Sequence, residues 1–226
     1  MNRLTQNLLL VLLGGAVLRI TTVSTEYLNY VKPGFRYLLI AAGAVVLVLG
    51  LAGLFKKEDG HRGPGVAWLL TLPVFAIFLI APPPLGSYAA RSEDVPARPV
   101  STALTAYPPL TQPVTPMTME EFLGRAWGDP TKSLAGKQVR LTGFVVPSAK
   151  KGRWYVARMQ IACCAADAVA LKVAVLGAPA PVENQWIEVT GTWVPPKAGG
   201  PEPGTTAPEL ETTGVTEIPQ PVEPYE

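Results

Sequence analysis

The sequence predicts a two-part protein, with an α-helical membrane region of three transmembrane helices followed by an all-β C-terminal barrel. Two observations predict this fold class. The first third of the chain is strongly apolar, in a protein of 226 residues of which only 16% are charged. The last hundred residues or so contain five short runs of alternating apolar and polar residues. Such alternation, bounded by turn residues, is typical of β-strands.

Composition excludes several classes of protein. Lys and Arg number 19 and Asp and Glu number 17, and no segment concentrates the positive charge that a nucleic-acid surface needs. The mean hydropathy of +0.25 is too high for a disordered chain or an ordinary soluble enzyme. The 24 prolines argue against one continuous helical bundle. We therefore expect a protein of the lipid bilayer that does not bind nucleic acid.

Residues 1–87 form the predicted transmembrane region, with helices at about 4–23, 37–55 and 66–81. The second run has nineteen uncharged residues, enough to cross a hydrocarbon core of about 30 Å. The first run contains Arg19, which we expect near the membrane interface. A cleaved signal peptide is the alternative for this run. We expect a retained helix, because the cleavage pattern is poor.

Basic residues predict the orientation. With three helices, the N terminus and the second loop lie on one side, and the first loop, with Lys32 and Arg36, lies on the other. The first side carries four basic residues, namely Arg3, Lys56, Lys57 and Arg62. The positive-inside rule then places the N terminus in the cytoplasm. We expect a multi-pass protein of the cell membrane with an extracytoplasmic C-terminal domain.

A proline-rich linker is predicted at residues 88–117, because prolines recur there and favour a semi-rigid spacer. Regular structure restarts at residue 118. Thr118 followed by Glu121 is a capping box that opens a short helix, and Gly128-Asp129-Pro130 ends it. We assign residues 118–218 to the C-terminal domain and 219–226 to an extended tail.

Five strands are predicted after this helix. They are Gln138–Val146, Trp154–Ile161, Val169–Leu176, Trp186–Val194 and Leu210–Ile218. One short helix and five short strands match the five-stranded OB-like barrel. A β-sandwich is the alternative, although five strands are few for one.

Residue patterns typical of enzymes are mostly missing. The only histidine, His61, lies in the predicted cytoplasmic loop, so one chain cannot form a Ser-His-Asp or Cys-His site in the outer domain. The sequence contains no glycine-rich phosphate-binding loop. A basic and aromatic run at 150–155 is typical of single-stranded nucleic-acid binding on an OB barrel, and we interpret it as a solvated hairpin tip. We expect a protein that is not an enzyme.

The two cysteines of the chain are adjacent, at Cys163 and Cys164, at the end of a predicted strand. Successive strand side chains point to opposite faces, so both thiols reach one ion only if the chain turns there. The run 165–167, Ala-Ala-Asp, allows such a turn. Three interpretations stay open: structural residues, buried or joined in a vicinal disulfide; soft ligands for zinc, copper(I) or arsenic(III), with Asp167 adding an oxygen; or a redox pair without the C-x-x-C spacing.

Several segments also carry a resemblance to a known family. They are the three apolar runs, Ala81–Ser87, Leu141–Val145, the double cysteine followed by Asp167, Trp186–Gly191 and Pro224–Glu226. In these features, across nearly the whole chain, the protein resembles the YcgQ-like permease-subunit family. The resemblance implies an integral membrane protein with an outer OB-like domain, encoded beside a YraQ-like permease. It links that permease group to the export of thiophilic arsenic compounds and to metal homeostasis, and it carries no catalytic residues. Lys32 stands where many relatives have a histidine, which argues against a metal role for the first loop.

The sequence and the resemblance together predict a membrane-anchored accessory subunit of a YraQ-like permease. Its extracytoplasmic domain would bind or sense a thiophilic ion through Cys163 and Cys164, with Asp167 as a third ligand or just behind the ligands. The alternative is an extracytoplasmic OB-type module that binds a protein or a glycan. In that case the cysteines are structural and the protein has no transport role.

Overall fold

The computed structural model describes residues 3–55, 82–92, 107–148, 153–197 and 205–226. The chain divides into two compact units, Met1–Pro84 and Leu85–Glu226. The third predicted transmembrane helix, at 66–81, lies outside the described residues, as does His61.

Two long helices, α1 (Arg3–Thr22) and α2 (Arg36–Phe55), form the described part of the first unit. Short 3₁₀ turns connect them. The two helices approach each other closely at Gly14. A Cβ atom added there would lie only 2.6 Å from the backbone nitrogen of Leu47. Small residues of this kind let apolar helices pack backbone to backbone.

Both helices are long and apolar enough to cross a membrane, over Leu4–Thr22 and Pro33–Phe55. Only 17% and 11% of their most apolar stretches are buried inside the protein. Their outer surfaces therefore suit an apolar surrounding. Arg19 lies in the last turn of α1, and its side chain is exposed.

The second unit contains a five-stranded closed β-barrel. Its elements in chain order are α3 (Ser87–Ser92), β1 (Val114–Pro116), α4 (Met119–Gly128), β2 (Gln138–Pro147), β3 (Trp154–Gln160), β4 (Val169–Leu176), β5 (Trp186–Val194) and β6 (Glu209–Glu217). The sheet runs β2-β3-β4-β6-β5, and β5 pairs with β2 to close it. The β4–β6 pair is parallel and the other barrel pairs are antiparallel. This closed arrangement fits an OB-like domain.

The five predicted barrel strands are confirmed to within one residue at each end, because each run is bounded by glycine, proline or charged turns. The predicted helix is confirmed as well, and the Thr118 hydroxyl accepts a hydrogen bond of 3.1 Å from the Glu121 N–H. The β-sandwich alternative is wrong, because β2 pairs with both β3 and β5 and the sheet closes on itself. A closed barrel has no free edge to leave exposed.

Two glycines let the strands pass close to one another. A Cβ atom at Gly143 in β2 would collide with the carbonyl oxygen of Ala157 in β3. A Cβ atom at Gly191 in β5 would collide with the carbonyl oxygen of Glu211, where the β5–β6 register also shifts. Any side chain at these positions would push neighbouring strands apart.

The apolar residues of the barrel fall into two clusters on opposite faces of the sheet. The inner cluster takes residues from all five strands and from α4, including Phe122, Val156 and Ile187, all three fully buried. The outer cluster takes the other face of β2 to β5 and is completed by α3 and the tail; its buried members are Ala90, Phe144, Val146, Ala157, Met159, Ile161, Ala170, Trp186 and Tyr225. The alternation along β2 to β5 therefore supplies buried residues on both faces of the sheet, whereas β6 contributes to the inner cluster alone.

Two described parts of the predicted linker have regular structure. They are α3 and β1, and β1 pairs in parallel with β2. The Ser87 N–H donates to Asn184 Oδ1 at 2.9 Å, and the Leu85 N–H donates to the Tyr225 hydroxyl at 3.0 Å. Residues 85–92 therefore pack on the barrel. The middle of the predicted linker, 93–106, lies outside the described residues.

Candidate metal centre

The candidate site is the loop that joins β3 to β4. These two strands pair up to Gln160 and Val169, and a 3₁₀ turn at Ala165–Asp167 reverses the chain between them. Cys164 precedes this turn in an extended conformation, with φ −151° and ψ 169°. The turn expected from the sequence is therefore present, and it brings both cysteines and Asp167 to one place.

The carboxylate of Asp167 holds the loop together. Its Oδ1 accepts the Ala162 N–H at 2.6 Å. Its Oδ2 accepts the N–H groups of Cys163 at 2.9 Å and Cys164 at 3.3 Å, and also the Cys163 thiol at 2.9 Å. The Asp167 N–H donates in return to the carbonyl oxygen and the side chain of Cys164. These reciprocal bonds form a capping box in which a cysteine takes the usual place of Ser or Thr.

The two thiols lie side by side at the surface. Their Sγ atoms are 3.7 Å apart, and both cysteines are free thiols. Two sulfurs bound at about 2.3 Å to one tetrahedral ion would lie about 3.8 Å apart. Cys163 is exposed and Cys164 is half-buried, so the interpretation of both residues as small buried side chains is wrong. One potential ligand atom from each of Cys163, Cys164 and Asp167 lies within 4.8 Å of the others.

The hydrogen bonds of the loop also set its charge state. The hydrogen bond to Asp167, and then the bond to Cys164, raises the pKa of the Cys163 thiol to about 11. The same thiol bond, followed by the backbone N–H bonds, holds the pKa of the Asp167 carboxyl well below its usual range. Cys163 is therefore a protonated thiol beside a carboxylate. An ion that binds the sulfur must displace that proton.

The tail of the chain supports the start of this loop. The Ile161 N–H donates to the main-chain oxygen of Glu226 at 3.0 Å, and the Glu226 N–H donates to the carbonyl oxygen of Met159 at 2.9 Å. The Glu226 carboxylate also accepts the first two N–H groups of α4, at 3.0 and 3.1 Å. Burial raises the pKa of this carboxyl. These contacts of Glu226 could not be predicted from the residues. The Pro224–Glu226 segment stood out in the sequence only through the family resemblance.

The basic and aromatic run at 150–155 does not form an open stacking platform in its described part. Residues 150–152 lie outside the described residues. Arg153 pairs with Glu209 at 3.2 Å, and Trp154 is buried with its indole N–H donating to the carbonyl oxygen of Ala178. Tyr155 packs against the outer cluster. The described side chains are therefore used within the barrel.

Comparison with known proteins places the candidate site in a family domain. Residues 125–226 match the model of the DUF1980 C-terminal domain. No curated protein matches the chain. A solved structure from Leishmania major Friedlin, assigned as an aspartyl-tRNA synthetase, is 12% identical over 52% of this chain and 24% of its own, with a TM-score of 0.28. This chain spans about a quarter of the length of that structure. The TM-score and the sequence identity are too low for the comparison to support any conclusion about fold or function. The family match supports a DUF1980-family protein, and the matched domain contains Cys163, Cys164 and Asp167.

Proposed function

We propose that this protein is a membrane-anchored accessory subunit of a permease, whose barrel domain binds a thiophilic metal or metalloid ion through Cys163 and Cys164. One observation carries the ion-binding part, namely that two free thiols lie 3.7 Å apart in a solvent-accessible turn. Thiolates are soft ligands that favour ions such as copper(I) and zinc. An open site at the surface suits capture and release better than a closed structural site does.

Two lines of support extend the proposal to a membrane permease. The helices α1 and α2 have the length and apolar composition of membrane spans. The resemblance to the YcgQ-like family supports association with a YraQ-like permease, and the basic residues of the first unit support an extracytoplasmic barrel. In this arrangement the barrel would present the ion to the permease or sense it there. The protein itself would carry out no chemical conversion.

The alternative is a glycan- or protein-binding OB module, and the structure offers less for it. OB barrels bind oligonucleotides and oligosaccharides on the face of their second and third strands, which here are β3 and β4. On that face Ala157, Met159 and Ala170 are buried in the outer cluster beneath α3 and the tail. The surface that usually binds such ligands is therefore filled by this chain's own residues.

Ion binding is tested on the purified full-length chain in detergent, reduced and free of oxygen. Copper(I), zinc and arsenite are each titrated against a competing chelator or thiol. We expect the wild type to bind one thiophilic ion per chain and Cys163→Ala/Cys164→Ala to bind none. Thr213→Ala, which removes an exposed hydroxyl on β6, serves as the control and should bind normally. Equal binding by the double variant and the wild type would contradict the proposal.

The permease part is tested separately. The tagged chain is purified from its native membranes in mild detergent, and the bound proteins are identified by mass spectrometry. We expect a multi-spanning permease in stoichiometric amount, with both the wild type and the double cysteine variant. Recovery of the chain with ion bound but without a permease would contradict the accessory-subunit role and leave the ion-binding role standing.

A further inference from the structure

The geometry points to a two-sulfur ion site in which Asp167 is a positioning residue and not a ligand. The site would then suit a soft ion of low coordination number, of the copper(I) type, better than zinc. This inference rests on the proposed function, since it assigns the ligands and the ion class of the same loop.

The hydrogen bonds of Asp167 leave it little capacity for an ion. A carboxylate oxygen has two lone-pair directions. Oδ2 accepts three donors, the N–H groups of Cys163 and Cys164 and the Cys163 thiol, and the two N–H bonds remain after the thiol has lost its proton. Oδ1 accepts the Ala162 N–H in a short bond of 2.6 Å. An ion at Oδ2 would have to take the place of the thiol proton and share that oxygen with both backbone N–H groups, and an ion at Oδ1 would share it with the Ala162 N–H.

An ion that weakened those N–H bonds would also undo the site. The three N–H groups belong to consecutive residues, 162 to 164, and their convergence on one carboxylate curls the chain so that adjacent side chains face the same way. Adjacent residues of an extended strand would instead point to opposite sides. The Sγ–Sγ separation of 3.7 Å therefore depends on Asp167 keeping its backbone partners.

The ion class follows from the number of ligands. Zinc in proteins is held by four ligands at structural sites and by three at catalytic sites. This loop supplies two sulfurs, and the chain's only histidine, His61, is not part of it. Copper(I) is satisfied by two thiolates, and the two sulfurs would move apart from their present 3.7 Å to lie more nearly on opposite sides of the ion. Its binding exchanges two S–H bonds for two S–Cu bonds and releases two protons to solvent, without a change of oxidation state.

A trapping experiment tests the positioning role without any native ion. Phenylarsine oxide reacts only with paired thiols, forming two As–S bonds and releasing its oxygen as water, whereas iodoacetamide alkylates single thiols. In the full-length chain we expect Asp167→Ala to lower the trapping rate at least tenfold and to leave both thiols open to iodoacetamide. Asp129→Asn, in a turn built in the same way, is the matched control and should leave both reactions unchanged. Trapping of Asp167→Ala at the wild-type rate would overturn the positioning role.

X-ray absorption at the copper and zinc edges of the loaded full-length chain tests the ligand set. We expect two sulfurs around copper(I) in the wild type and in Asp167→Asn, with copper(I) and zinc affinities lowered by a similar factor in the variant. A carboxylate oxygen in the wild-type shell that disappears in Asp167→Asn, together with a selective loss of zinc affinity, would overturn the inference. If no ion binds while Asp167→Ala still loses trapping, the proposed function fails and the positioning role stands.

Discussion

Two aspartates of the barrel domain organise their turns by the same hydrogen-bonding device, and only one of these turns presents thiols. Asp129, at the end of α4, accepts the N–H groups of Thr131 and Ser133, both at 2.9 Å, and the Thr131 hydroxyl at 2.6 Å. Asp167 likewise accepts backbone N–H groups and the Cys163 thiol. In both turns the short side chain of an aspartate accepts hydrogen bonds from backbone N–H groups that no helix or strand pairs.

The surroundings of the two turns differ. Asp129 is buried, and Ser133 accepts a hydrogen bond of 2.8 Å from the buried guanidinium of Arg125. Arg125 also pairs with Glu121 and stacks on Tyr107, so the whole turn is tied to the interior of the domain. The Asp167 turn instead carries one exposed cysteine, Cys163, and one half-buried cysteine, Cys164. The comparison teaches that this device stabilises the fold where the aspartate is buried, and that it can present a ligand pair where the aspartate holds an exposed turn.

The largest expected effect is on ion binding in the exposed turn. Cys163→Ala/Cys164→Ala should reduce copper(I) affinity more than 100-fold, because both soft ligands are lost. It should lower the free energy of unfolding by less than about 1 kcal/mol, because only the hydrogen bonds of the two thiols in a surface loop are lost. Tryptophan fluorescence during denaturation measures that free energy, since four of the five tryptophans, at 127, 154, 186 and 193, lie in the barrel domain. A double variant that retains copper(I) affinity, or that unfolds much more easily, would contradict the assignment of ion binding, and not stability, to the exposed turn.

A substitution in the buried turn should lower the stability of the fold and leave the copper(I) affinity unchanged. Asp129→Ala should lower the free energy of unfolding by about 1–2 kcal/mol, because two backbone N–H groups and a hydroxyl lose their acceptor. Its affinity for copper(I) should stay within about twofold of wild type, measured by the same chelator competition. Loss of ion binding in this variant would show that the two turns are coupled.

Acid should weaken the buried turn in a defined direction. Burial opposes ionisation of Asp129, but the hydrogen bonds from Ser133 and Thr131 outweigh it and hold the pKa well below its usual range. The unfolded chain, with an ordinary pKa of about 3.9, then binds more protons than the folded one at mildly acidic pH. Stability from Asp129 is therefore present above about pH 5 and is lost as the pH falls toward the folded pKa. Denaturation of wild type and Asp129→Asn should give a stability difference that narrows below about pH 4. A constant difference would contradict this account.

The smallest expected effect on the free energy of unfolding comes from removing the Thr131 hydroxyl alone. Thr131→Ala removes one donor from Asp129 but keeps both backbone N–H bonds, so we expect a loss of about 0.5–1 kcal/mol in the free energy of unfolding. Its measurement beside Asp129→Ala separates the side-chain donor from the backbone donors. A loss as large as that of Asp129→Ala would assign the stabilisation to the hydroxyl.

The barrel strands could be predicted from the sequence, and the segments that cover them could not. The buried residues Val139, Leu141 and Val145 are separated by an odd number of intervening residues, and turn residues bound the segment. This two-residue period is enough to predict β2. The strand β1 has no such pattern and forms because Thr115 pairs with Val139. That contact joins residues 24 positions apart, which local reasoning does not reach.

The candidate site shows the same division. Cys163, Cys164 and the turn after them could be predicted, because adjacent cysteines are conspicuous and short polar residues favour turns. Asp167 could be predicted as a third ligand or as a residue just behind the ligands, but its backbone partners could not, because they depend on how the loop folds back on itself. The tie from Glu226 to Ile161 joins residues 65 positions apart. It was equally beyond local patterns.

Native mass spectrometry of the reduced full-length chain, released from detergent with copper(I) present, tests the central claim most directly. The wild type should gain the mass of one copper ion and lose two protons, and Cys163→Ala/Cys164→Ala should gain nothing. Copper bound equally to both forms, or to neither, would show that the thiol pair on the β3–β4 loop is not a copper(I) site.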